Sequence, residues 1–246
     1  MAQLHCEFYS EAMRMATAVE VYLPDKGELG RKKTVYLLHG LSDNCSAWSR
    51  YTALERYADQ AGVAVVMPEV QRSFYCDTAS GMDYFRYISG ELPQMCAHFF
   101  GLSQEREQTY IMGLSMGGFG ALKCALTYPQ RYAGCGSFSG ALRMESSVLC
   151  NVLKREELTA ITGQTDGAGP ENDLWRLARM AENCPPIYLS CGEQDRLYPV
   201  NQAFAEHLRD VGVDFRFDHR PGTHSWEFWD QSVRDCFHFF FGDDAT

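Results

Sequence analysis

No stretch of this 246-residue chain approaches the roughly 18 consecutive apolar residues that a membrane-crossing helix needs. A membrane-spanning protein is therefore not expected. The opening residues, Met1-Ala2-Gln3-Leu4-His5-Cys6-Glu7, carry neither a basic nor an apolar stretch, so no signal peptide is read there. The ten cysteines include no C-x-x-C pair, and no histidine cluster accompanies them at metal-ligand spacing. That argues against a metal site. Most of these cysteines lie in apolar surroundings, which fits reduced, buried thiols and a cytoplasmic location. Basic residues are in the minority: 22 Lys and Arg stand against 32 Asp and Glu, a net charge of −10. Nucleic acids and anionic membranes both call for a basic face, so neither is expected as a partner. Internal repeats, low-complexity tracts and linkers are also missing, and one domain over residues 1–246 is the simplest organisation.

What is present is a globular composition, 46% hydrophobic and 13% aromatic, with short apolar runs punctuated by turn residues. Residues 3–9 and 15–23 read as two early strands, the second as an edge or half-exposed one. Lys33 to His39 and Val63 to Pro68 read as strands flanking a helix with Tyr51, Leu54, Ala58 and Ala61 on one face. That is a β-α-β unit, which implies parallel strands. Residues 81–100 read as helical, with Pro93 forcing a break or a fresh start near Gly90-Glu91-Leu92. Further strands are expected at 109–112, 132–139, 186–192 and 213–217, with helices after Ser115, from Pro199 to Val211 and from Ser225 to Phe241. Leu142, Met144, Val148, Leu149, Val152 and Leu153 suggest one more helix within 140–180, a segment that fits no simple β-α unit and is a candidate cap. The fold class is α/β: a mostly parallel sheet of about eight strands with helices on both faces.

The chain turns on Gly113-Leu114-Ser115-Met116-Gly117, a G-x-S-x-G sequence with a strand before it and a helix after it. That context is what a nucleophile-bearing turn requires. Glycines at the flanking positions leave room for neighbouring chain to approach. A serine hydroxyl is a poor nucleophile near neutrality and needs a base, which in turn needs an orienting carboxylate. Ligands in such sheets sit beyond the carboxyl ends of the strands. Asp195 follows the strand 186–192, and His224 follows the last strand. Glu193 rivals Asp195 but lies nearer its strand end. His219 is at the fringe of the last strand, His207 is mid-helix and His238 lies among aromatics. The preferred set is Ser115, Asp195 and His224. The amides of Met116 and Leu41 are the candidates for holding an oxyanion. Trp48, Tyr75 and Trp226 could line the pocket, with core packing as the competing role of each.

These pieces carry a family resemblance. Tyr36-Leu37-Leu38-His39-Gly40, Ala47-Trp48, Glu91-Leu92-Pro93, Gly113 to Ala121, Cys191-Gly192-Glu193-Gln194-Asp195 and Gly222-Thr223-His224-Ser225-Trp226 span nearly the whole chain. Together they resemble the esterase D-like branch of the α/β-hydrolases, most closely bacterial tributyrin and acetyl esterases. The resemblance implies an α/β-hydrolase fold and hydrolysis of short acyl esters without a cofactor. It also implies Ser115 as nucleophile, His224 as base and Asp195 as its orienter. The expected partner is a small-molecule or carbohydrate ester, with a homo-oligomer as the expected assembly. The branch also contains S-formylglutathione hydrolases, feruloyl and acetyl-xylan esterases and mycolyltransferases. Hydrolysis of those substrates and acyl transfer to an alcohol or sugar are therefore the alternatives. His39 before Gly40 departs from the small residue usual in the formylglutathione enzymes.

Overall fold

A computed structural model describes residues 1–25, 32–144, 149, 152–165 and 169–242. Its frame is one eight-stranded sheet with the order β1-β2-β4-β3-β5-β6-β7-β8. The strands are β1 (Ala2–Ser10), β2 (Met15–Leu23), β3 (Thr34–Leu38), β4 (Ala64–Pro68), β5 (Thr109–Leu114), β6 (Gly134–Phe138), β7 (Ile187–Gly192) and β8 (Phe215–Arg220). β2 runs antiparallel to both β1 and β4. From β4 through β3, β5, β6 and β7 to β8 every pairing is parallel. The early strands thus differ from expectation in one respect. β1 is the edge, whereas β2 is interior, and Val19 and Val21 are fully buried.

The central strands are apolar on both faces because helices cover both. Successive residues of β3 belong to opposite layers, as the pleat demands. Val35 and Leu37 pack with α2 (Leu54–Ala61) and α9 (Trp226–Phe241). Tyr36 and Leu38 pack with the other layer, which contains α5 (Met116–Thr127) and α8 (Tyr198–Asp210). Two short helices, α6 (Arg155–Thr162) and α7 (Leu174–Met180), lie between β6 and β7. Of the six residues that suggested a helix within 142–153, Leu149 is helical, Leu142 and Met144 lie in irregular chain, Val152 in a turn and Leu153 at a bend, while Val148 lies outside the described residues. No helix of the described residues is long and apolar enough to cross a membrane.

Three boundaries moved for identifiable reasons. The expected helix through Tyr51 and Ala61 is two helices, α1 (Ala47–Tyr51) and α2. Thr52 Oγ1 accepts the Leu54 amide, and Asp230 of α9 accepts the Ala53 amide, so the chain is capped where continuation was expected. Tyr51 is consequently 50% exposed and not on the buried face. Of the two outcomes expected at Pro93, the fresh start holds, with a helix beginning at Leu92, and the break does not, since the chain stays helical from 84 to 100. α3 (Tyr84–Arg86), a π-turn (Tyr87–Glu91) and α4 (Leu92–Phe100) run on from one another. The proline offers no N–H to the Ser89 carbonyl four residues earlier, and the Arg131 guanidinium donates to that carbonyl instead. Finally, β8 extends over the polar residues Asp218, His219 and Arg220, which pair with Ser190, Cys191 and Gly192 of β7.

Candidate active site

β5 ends at Leu114 and α5 starts at Met116, leaving Ser115 alone to turn the chain. It does so with φ 53° and ψ −113°, a region that costs a non-glycine residue about 1–3 kcal/mol. Its neighbours hold it there. The Ser115 amide donates to the Phe138 carbonyl at 2.8 Å, and the Ser115 carbonyl accepts the Ala141 amide at 3.0 Å. The glycine requirement is steric. A Cβ on Gly113 would lie 2.5 Å from the Gly117 carbonyl group, and one on Gly117 would collide with the Leu38 carbonyl.

The loops after β7 and β8 bring Asp195 and His224 to this turn. His224 Nε2 lies 3.1 Å from Ser115 Oγ, and His224 Nδ1 lies 2.8 Å from Asp195 Oδ2. The Asp195 Oδ1 atom accepts the Leu197 amide at 2.9 Å, which fixes the carboxylate plane. Burial pushes the Asp195 carboxyl up, but the hydrogen bond and charge of His224, with the Leu197 amide, outweigh it and hold it below the usual carboxylate range. An ionised Asp195 accepts the Nδ1 proton and leaves Nε2 free to accept from Ser115 Oγ. The Trp229 ring stands edge-on to the imidazole, with centroids 4.8 Å apart. Glu193, the rival carboxylate, is exposed and pairs with His219 at 3.1 Å instead. His207 hydrogen-bonds the Trp175 carbonyl, far from this cluster in role.

A cavity of about 550 Å³ opens over Ser115 and His224. The loop after β3 contributes Gly40, Leu41 and Asp43 to its wall, and Ala141, Leu149 and Val152 come from the segment after β6. Phe74, Tyr51, Trp226 and Trp229 supply aromatic surface, while Arg196 and Glu227 bring charges. Burial raises the Asp43 carboxyl, against the opposing pull of His39. Met116 is the first residue of α5, so its amide has no partner within the helix.

Of the three aromatics considered for the pocket, only Trp226 lines it. Trp48 is fully buried beneath it, donating from Nε1 to the Leu38 carbonyl at 3.1 Å and meeting Trp226 edge-on. Tyr75 is also fully buried, donating from its hydroxyl to the His39 carbonyl at 2.9 Å. Both support the walls from behind. Phe74, the neighbour of Tyr75, reaches the cavity because both residues take positive φ, 51° and 53°. Nothing in the residue pattern of that loop distinguishes the two rings, and sequence reasoning missed Phe74, Tyr51 and Trp229 as wall residues. His39 is buried and shapes the loop. Its Nδ1 donates to the Gly40 carbonyl at 2.7 Å and its Nε2 accepts the Val70 amide at 3.2 Å. Among the described residues, the side chains grouped within metal-ligand reach of one another, His5, Glu20 and Cys45, do not line this cavity.

An acetyl esterase of Caldicellulosiruptor saccharolyticus is 28% identical over 258 residues, covering 96% of this chain and 97% of that one. The substrate-bound structure of FphF, a fluorophosphonate-binding serine hydrolase of Staphylococcus aureus, is 30% identical with a TM-score of 0.88, covering 98% of each chain. The apoenzyme of a Staphylococcus aureus S-formylglutathione hydrolase, FrmB, is 31% identical at the same TM-score and coverage. The Esterase family model matches residues 10–239, and with that span of sequence and those folds in common, the chain belongs to the Esterase family within the α/β-hydrolases.

Proposed function

We propose that this serine carboxylesterase hydrolyses short-chain acyl esters, acetyl or butyryl in type, through an acyl-enzyme on Ser115. The observation that carries the reading is the unbroken hydrogen-bond path from Asp195 through His224 to Ser115 Oγ at the floor of the cavity. Ser115 Oγ attacks the ester carbonyl carbon while His224 Nε2 takes its proton. The carbonyl oxygen becomes an oxyanion, held by the Leu41 and Met116 amides. Collapse breaks the C–O bond, and His224 returns its proton to the leaving alcohol. A water molecule then attacks the acyl-enzyme with His224 again as base, releasing the acid and restoring Ser115. Asp195 keeps the imidazole in the tautomer whose Nε2 can accept. Residues 140–180 serve as a cap, a reading supported by the three apolar side chains they give the cavity wall. The unpaired thiols among the described cysteines support a reducing, cytoplasmic setting.

A thioester is the second reading, favoured by the kinship with an S-formylglutathione hydrolase and by the exposed Arg196 on the cavity rim, a charge available to a carboxylate of the thiol. Ser115→Ala should lower p-nitrophenyl acetate turnover by about 10³-fold or more with an unchanged circular dichroism spectrum. Turnover near that of the parent would sink the assignment. A panel of acyl chain lengths, acetylated oligosaccharides and S-formylglutathione, compared by kcat/KM, ranks the ester against the thioester.

A further inference from the structure

Away from the cavity, three side chains of different chemistry meet where the β1–β2 hairpin touches the loop between β3 and α1. His5 and Glu20 are directly opposed in the hairpin register, so they leave the same face of the sheet. Their closest atoms, His5 Nδ1 and Glu20 Oε1, are 2.7 Å apart. Cys45 reaches them from the loop, whose path is fixed there because the Cys45 amide donates to Glu69 Oε2 at 3.1 Å. One ligand atom from each of His5, Glu20 and Cys45 lies within 4.8 Å of the other two. Glu20 and Cys45 are buried, whereas the His5 side chain is 51% exposed, so the cluster opens to solvent on one side. Glu7, two residues along the same face, places Oε1 3.7 Å from the remaining ring nitrogen of His5. A carboxylate behind a histidine is the arrangement that orients the ring of a metal-ligating imidazole.

We propose that His5 Nδ1, Glu20 Oε1 and Cys45 Sγ form a zinc-type divalent metal site, with Glu7 as the outer partner of His5. The donor set decides the metal class. A thiolate with an imidazole and a carboxylate suits tetrahedral Zn²⁺ and not Mg²⁺ or Ca²⁺, which take oxygen ligands. Three protein ligands leave a fourth position for water. On binding, the Cys45 thiol releases its proton to solvent and Sγ bonds the metal, and the Nδ1 proton that His5 gives Glu20 in the metal-free protein is released, leaving a neutral ring protonated at Nε2 on the Glu7 side. The consequence is mechanical. The metal ties the β1–β2 hairpin to the loop that also carries Gly40, Leu41 and Asp43 of the cavity wall. The residue numbers 5, 20 and 45 show no metal spacing, since the sheet and not the local chain brings them together.

The test uses the full chain after chelator treatment. Titration with Co²⁺ should saturate at one equivalent with a thiolate-to-metal absorption band, and Zn²⁺ should displace it. Cys45→Ser should abolish the band and weaken Zn²⁺ binding by about 100-fold or more, and Glu7→Gln should weaken it by about tenfold. If Cys45→Ser fails to fold, His5→Gln at the exposed position asks the same question and should lose the band. Absence of a thiolate band in the parent protein overturns the proposal. So does a band and affinity unchanged in Cys45→Ser or His5→Gln, which would assign the metal to other thiols.

Discussion

His39 shows how one side chain can be locked by its neighbours. It donates from Nδ1 to the Gly40 carbonyl and accepts at Nε2 from the Val70 amide, which leaves no site for a second proton. Burial lowers its pKa from the ordinary value of 6.5, with the charge of Glu69 and the Gly40 hydrogen bond opposing. The folded state therefore refuses a proton that the unfolded chain accepts below about pH 6.5. The contribution of His39 to stability is complete above that pH and is lost progressively as the pH falls toward the folded-state value. Denaturant unfolding of the parent should weaken between about pH 7 and pH 5, and His39→Gln should flatten that slope. Equal slopes in the two proteins would contradict the account. The same residue scale marks what could be read in advance. The meeting of Ser115, Asp195 and His224 was legible because each follows a strand, and the carboxyl ends of parallel strands lie at one edge of the sheet. Trp48 and Tyr75 were not, because an aromatic ring serves equally well in a wall or beneath one.

Elements follow local pattern until a distant group intervenes. Strands β3 to β7 were legible within about two residues as apolar runs closed by turn residues. The split between α1 and α2 was not, since Asp230, which accepts the Ala53 amide, is 177 positions away. Nor was the polar end of β8, where Tyr188 donates to Asp218 at 2.8 Å and Arg220 pairs with the same carboxylate. The helix through Pro93 makes the point testable. If Arg131 takes over the buried Ser89 carbonyl that the proline cannot serve, Arg131→Ala leaves that oxygen unpaired. The expected loss is about 1–3 kcal/mol in denaturant unfolding. A loss of a few tenths of a kcal/mol, the ordinary effect of a surface substitution, would mean that the carbonyl finds another partner.

At the scale of the whole molecule, alternating strands and helices made the α/β architecture legible. The antiparallel insertion of β2 between β1 and β4 was not, because strand order depends on which edges meet and not on any one segment. Where the aromatic residues fall is likewise a property of the finished fold. Three of the four tryptophans adjoin one another at the cavity. Trp226 meets Trp48 with centroids 5.3 Å apart and Trp229 at 5.4 Å, and Trp229 abuts His224, while Trp175 packs apart from them on Phe204. Light absorbed anywhere in that trio can migrate to the ring nearest the imidazole. Three of the four indole emitters of this protein therefore form one cluster whose nearest member abuts the imidazole that faces Ser115. Titration with a phosphonylating inhibitor should change the ultraviolet emission of that cluster in proportion to occupancy, in Trp175→Phe as in the parent. The molecule carries its own optical gauge of whether its serine is free.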